Sequence, residues 1–117
     1  MIFFDEKKLD ALSKQEYEAL VNESLAYDDS LRNSGHLLAN QALQSVHAAT
    51  TIRKRGGKIA VMDGPFAETK EQIGGFVLIA ARDLNEAVQL ASGIPSIRLG
   101  GVEVRPIREH SNSSGAV

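Results

Sequence analysis

The sequence predicts an α+β domain made of two β-α-β halves with a β-hairpin inserted between them. Three observations predict it. Two segments carry helix-capping residues followed by apolar positions at three- and four-residue spacing, one from Ser13 and one from Asp83. Short apolar runs with extended-strand character flank both of them. Two further runs of two-residue period meet at Lys54-Arg55-Gly56-Gly57, the composition of a tight hairpin.

Met1-Ile2-Phe3-Phe4 is a short apolar run that reads as a first strand, followed at once by the polar stretch Asp5-Glu6-Lys7-Lys8. In Ser13-Lys14-Gln15-Glu16 the serine hydroxyl can accept from the backbone N–H of Glu16 while the Glu16 carboxylate reaches back. The helix runs to about Asn33 and stops at Ser34-Gly35, where glycine can take the left-handed cap conformation. Tyr17, Leu20, Val21, Tyr27 and Leu31 define its buried stripe. His36 to Leu43 is the second strand.

Ala48–Arg53 and Lys58–Asp63 form the hairpin, with Thr50, Ile52, Ile59 and Val61 directed to a core and a basic tip of Arg53, Lys54, Arg55 and Lys58. Phe76-Val77-Leu78-Ile79-Ala80-Ala81 is the most continuous apolar run and reads as a strand buried on both faces. Asp83 caps the second helix with Glu86 three residues on, and Leu84, Ala87, Val88 and Ala91 form its inner stripe. Gly93 ends it and Pro95 prevents resumption. Gly101 to Ile107 alternates as a last strand, with Pro106 confined to an edge or an end. Residues 1–108 then constitute the domain and 109–117 a disordered tail, which has too little to bury.

Two β-α-β halves with both helices on one face of an antiparallel sheet make the ferredoxin-like arrangement. The other sheet face is then bare, and the simplest cover for it is the same face of a second copy. A homodimer closing into a dimeric α/β barrel is therefore expected.

Composition excludes several classes. At 117 residues the chain allows one domain, and with no cysteine it has no disulfide, thiolate metal site or cysteine nucleophile. A net charge of −2 argues against direct nucleic-acid binding, which rests on clustered positive charge. No apolar run approaches the roughly 20 residues of a membrane span. The start lacks the charged-then-apolar order of a signal peptide, so a cytoplasmic protein with no membrane partner is expected. The histidines, His36, His47 and His110, have no metal-ligand spacing, so neither a metal nor a cofactor is expected.

The densest chemical signal is Asp63-Gly64-Pro65-Phe66-Ala67-Glu68-Thr69-Lys70-Glu71, followed by Gly74-Gly75. Asp-Gly-Pro is a turn, Phe66 an apolar anchor in a polar loop, and Glu68, Lys70 and Glu71 place charges of both signs close together. Such a loop serves either as a structural turn or as a ligand contact. In the second case Asp63 and Glu68 are the candidate acid–base groups and Lys70 an anion partner. Phe66 is then an apolar wall, with Gly64, Pro65, Thr69 and Glu71 completing the contact surface. His36 is the best placed histidine for general acid–base work. Ser24 and Asp28 interrupt the apolar stripe of the first helix one turn apart; they either line a polar pocket or lie bonded locally at the solvent edge.

The nine-residue run from Asp63 to Glu71, with Gly74-Gly75-Phe76 and Val102-Glu103-Val104-Arg105-Pro106, resembles the YCII-related family in its DGPF-motif branch. The resemblance extends from about Ser13 to Arg108. It implies a ferredoxin-like fold and a dimeric barrel, no firmly assigned reaction, and association with sigma factors of the extracytoplasmic-function type. Better-studied family members carry a histidine on the first helix, acting with an acidic partner. That position falls near Ser24 here, and serine cannot replace an imidazole as a base near neutral pH. The dyad chemistry is therefore not carried over. Family members also begin with a longer strand, so the N-terminus is expected either to lie upstream or to form a shortened strand.

Two readings follow. One is a homodimer with a small-molecule-binding or enzymatic cleft at the Asp63–Glu71 loop. The other is a non-enzymatic regulatory or interaction module associated with a sigma factor.

Overall fold

The computed structural model of the chain describes residues 1–109. The tail expected beyond Arg108, and His110 with it, falls almost wholly outside the described residues. Strand β1 (Ile2–Phe4) leads into a five-residue helix α1 (Glu6–Asp10). The long helix α2 (Lys14–Asn33) follows, then strand β2 (Leu37–Ala42) and the hairpin β3 (Thr50–Arg55) and β4 (Lys58–Asp63). Strand β5 (Gln72–Ile79), helix α3 (Leu84–Ser92) and the short strand β6 (Gly100–Val102) complete the order, with 3₁₀ turns at Val46–Ala48 and Pro95–Leu99, so that Pro95 opens a new helical turn rather than preventing one.

The main sheet has the order β2-β5-β1-β6 with every neighbouring pair antiparallel, while β3 and β4 form a separate two-stranded sheet. This α+β order is compatible with a ferredoxin-like fold in which the hairpin is inserted between the second and third sheet strands.

The caps form as their chemistry requires. Ser13 Oγ accepts from Glu16 N at 3.0 Å while Glu16 Oε1 accepts from Ser13 N at 2.9 Å. Gly35, at φ +82°, turns the chain out of α2. Asp83 Oδ1 accepts from Glu86 N at 2.9 Å to start α3. Gly56 and Gly57, at φ +55° and +79°, make the two-residue hairpin turn.

Several expectations are corrected; on α2, Tyr17 and Val21, expected in the buried stripe, are exposed. The polar stretch after Phe4 is a helix, because Asp5 accepts from Lys7 N at 3.0 Å and caps it. The last strand spans Gly100–Val102 rather than Gly101–Ile107. Its partner is β1, and the ladder ends where the Met1 ammonium and carbonyl exchange hydrogen bonds with the Glu103 backbone at 2.9 Å. On α3, Ala87 is buried but Leu84 and Val88 are exposed, so the helix turns less of its apolar stripe inward than the spacing predicts.

A further correction concerns the sheet. Along β5, Val77 and Ile79 are half-buried whereas Phe76 and Leu78 are 41% and 36% exposed. Alternate residues face opposite sides of a strand. Asn40 is registered opposite Val77 and bonds to Asp28 of α2, so the helices lie on the Val77 face. Among the described residues the Phe76 face has no helix over it, and they cover β5 on one side only.

Thr50, Ile52, Ile59 and Val61 of the hairpin are likewise exposed, against the expectation that they face a core, and Thr51 is buried instead. Among the described residues the buried apolar core is small: Leu20, Leu31, Ala87, Ile94 and Leu99. The molecule measures 46 × 45 × 19 Å, with a radius of gyration of 16.7 Å. A compact chain of this length has a radius of gyration of about 13 Å. The thin dimension is that of a sheet with one helical layer, and the single chain forms no closed barrel among its described residues.

Candidate functional site

The Asp63–Glu71 loop is a self-tied bend at the base of the hairpin. Gly64 sits at φ +106°, a conformation that a side chain would strain. Its N–H donates to the Ala49 carbonyl at 2.8 Å, and its carbonyl accepts from Thr51 Oγ1 at 2.8 Å. Thr51 is buried, so the bend is anchored to β3. Further along, Thr69 Oγ1 donates to the Glu71 carbonyl at 2.7 Å, and Gln72 Nε2 donates to the carbonyls of Ala67 and Thr69 at 2.7 and 3.1 Å. Phe66 is 71% exposed, with the Arg53 guanidinium 4.1 Å from its ring centroid. Asp63, Glu68, Lys70 and Glu71 are exposed, and Gly64 and Pro65 half-buried.

A groove of about 940 Å³ lies elsewhere. It runs between α3, β5 and the segment 102–109, and Leu31, Val77, Ile79, Ala87, Leu90 and Ile94 line it. None of the loop residues borders it.

Ser24 and Asp28 lie on the face of α2 that meets β2, and both are half-buried. Asp28 Oδ2 accepts from Asn40 Nδ2 at 2.8 Å. Burial raises the Asp28 carboxyl above its ordinary range and the neighbouring Asp29 charge adds to this, against the opposing effects of the Asn40 hydrogen bond and the Arg32 charge. A carboxyl that resists ionisation, beside an amide that orients it, can hold or release a proton toward a bound molecule. Asn40 escaped the sequence reading. Its signal was an amide at an inward position of a strand, legible only once the register of β2 is known.

His36 occupies a third place. Its Nδ1 lies 2.8 Å from the Ala80 carbonyl, so that nitrogen carries the proton and Nε2 is left as the basic atom. Glu86 Oε1 is 3.9 Å from the same Nδ1, and Glu86 also accepts from the Arg82 backbone N–H at 3.0 Å and its guanidinium at 2.9 Å. Among the described residues no hydrogen bond or ion pair joins His36 to Asp63 or Glu68. The three candidate acid–base residues are thus divided between the strand–helix junction and the hairpin loop. No group of three potential metal ligands occurs among the described residues, and no described helix is long and apolar enough to cross a membrane.

The chain matches the YCII-related domain over residues 1–111. It is 38% identical over 109 residues to an uncharacterised protein of Rhizobium meliloti (strain 1021), a match that covers 92% of this chain and 88% of that protein.

Proposed function

The chain belongs to the YCII-related family, and on that premise we propose that it is a DGPF-branch homodimer that binds or transforms a small polar molecule in a cleft beside β2. The observation that carries this reading is the Asp28–Asn40 pair, a half-buried carboxyl with a raised pKa next to an edge strand. Asp28 acts as the proton donor or acceptor, Asn40 orients it, and the Ser24 hydroxyl one turn away offers a further hydrogen bond.

The uncovered Phe76–Leu78 face supports a second copy lying against the sheet. The Asp63–Glu71 loop then belongs to the seam between copies. Its Phe66 forms an apolar wall, and Asp63, Glu68 and Lys70 are charged groups at the cleft mouth, with Gly64, Pro65, Thr69 and Glu71 shaping it. His36 presents Nε2 as a separate basic atom.

The experiment is a thermal-shift screen of the wild-type protein against a panel of small carboxylic acids, amines and sugars. A compound that raises the transition temperature, and does so no longer in Asp28→Asn and Asn40→Ala, supports the reading. Equal shifts in wild type and both variants would remove the site from β2, and a panel with no binder would remove the small-molecule function. The exposed cations Lys54, Arg55 and Lys58 favour the second reading, an interaction module associated with an extracytoplasmic-function sigma factor. Co-purification of a sigma factor that is lost when these cations are neutralised would establish it.

A further inference from the structure

The hairpin is an arm with its charges sorted along its length. Each strand has six residues, which in extended geometry span roughly 20 Å. At the tip, Lys54, Arg55 and Lys58 are all exposed, and among the described residues none forms an ion pair. Arg53 is already engaged over Phe66 and donates to its carbonyl. At the base, Asp63, Glu68 and Glu71 are exposed and likewise form no ion pair among the described residues, and these three carboxylates outnumber the two cations beside them, Lys70 and the Arg53 guanidinium over Phe66.

Between the two ends runs an apolar flank. Ile52 is registered opposite Val61, and Ile59 lies two residues before Val61, so all three share one face of the hairpin. They are 65%, 64% and 63% exposed in the order Ile52, Val61, Ile59.

An arm that is positive at one end, negative at the other and apolar along one flank is complementary to itself when two arms run antiparallel. We propose that two copies pair their β3–β4 arms in this way about a two-fold axis, the basic tip of each against the acidic base of the other. A two-fold interface repeats every contact, so a single tip-to-base match is made twice. Parallel alignment would set cations against cations. The apolar flank provides burial, and the charges choose the register. This inference rests on the homodimer reading and adds the hairpin arms to the sheet faces that meet in it.

The test uses two charge-reversed chains, Lys54→Glu with Arg55→Glu (tip-reversed) and Glu68→Lys with Glu71→Lys (base-reversed). All four residues are exposed, so the fold should be retained, as far-UV circular dichroism will show. In native mass spectrometry at low salt, each variant alone should dimerise at least about tenfold more weakly than wild type, because like charges then meet at both ends. An equimolar mixture should form the heterodimer in large excess over either homodimer, since one chain then has two acidic ends and the other two basic ends.

The wild-type dimer should also weaken as sodium chloride rises from about 50 to 500 mM, through screening of the same contacts. A wild-type dimer insensitive to salt, with both variants dimerising as wild type and no heterodimer preference, would overturn the arm pairing while leaving the homodimer intact. A monomeric wild-type chain would overturn both.

Discussion

Replacing Phe76 by alanine separates a face that is merely exposed from one that a second copy covers. Phe76 is 41% exposed in the single chain. A phenylalanine side chain offers about 200 Å² to burial, so about 80 Å² is left for a partner to cover. At about 25 cal/mol per Å², that area is worth about 2 kcal/mol per copy. A two-fold interface uses it twice, giving about 4 kcal/mol per dimer, which corresponds to about a thousandfold in the dissociation constant. Sedimentation equilibrium over a dilution series measures this directly. The dissociation constant of Phe76→Ala should rise by two to three orders of magnitude (about 3–4 kcal/mol) relative to wild type. A change below about tenfold would mean that the Phe76 side chain is not buried between copies, and the covering of this face would have to be abandoned.

Three further outcomes are expected. Leu31→Ala should destabilise the chain by about 3 kcal/mol in urea titrations, because Leu31 is one of few buried side chains among the described residues. The cost stays below the upper end of the range because the vacated space joins the groove beside α3. Asp28→Asn should raise the urea midpoint at neutral pH and leave it unchanged in strong acid. Burial holds the Asp28 carboxyl above its ordinary range, so its contribution to stability is complete while it is protonated and is lost as the pH rises through the raised value. Asparagine carries no charge to penalise. Gly100→Ala should detach β6 from β1, because a Cβ there would fall on the Phe3 carbonyl oxygen and Phe4 Cα. Loss of amide exchange protection at the β1–β6 pairing, with the β3–β4 hairpin unaffected, would show it.

Local chemistry was legible in the sequence where a few neighbouring residues decide the outcome. The Ser13–Glu16 capping box, the Gly35 stop, the Gly56-Gly57 turn and the Asp83 cap each depend on contacts within about four residues. What was not legible depends on what lies above a surface. Phe76, Leu78, Leu84 and Val88 carry the apolar pattern of covered positions and yet are exposed. Periodicity tells which residues share a face, but not what that face meets. The same limit hid Asn40, whose meeting with Asp28 depends on the register of β2 against β5 and on the placement of α2. Of the candidate site, Ser24 and Asp28 share a half-buried face. Asp63, Glu68, Lys70 and Glu71 lie exposed at the base of the hairpin, a placement that no spacing rule gives.

Small-angle X-ray scattering tests the account most directly, because it reads mass and shape together. If a second copy covers the Phe76–Leu78 face, the forward scattering will correspond to twice 12.6 kDa, and the particle will be thicker than the 19 Å slab of one chain. Forward scattering of a single 12.6 kDa chain with a slab-like profile, persisting to high concentration, would contradict it.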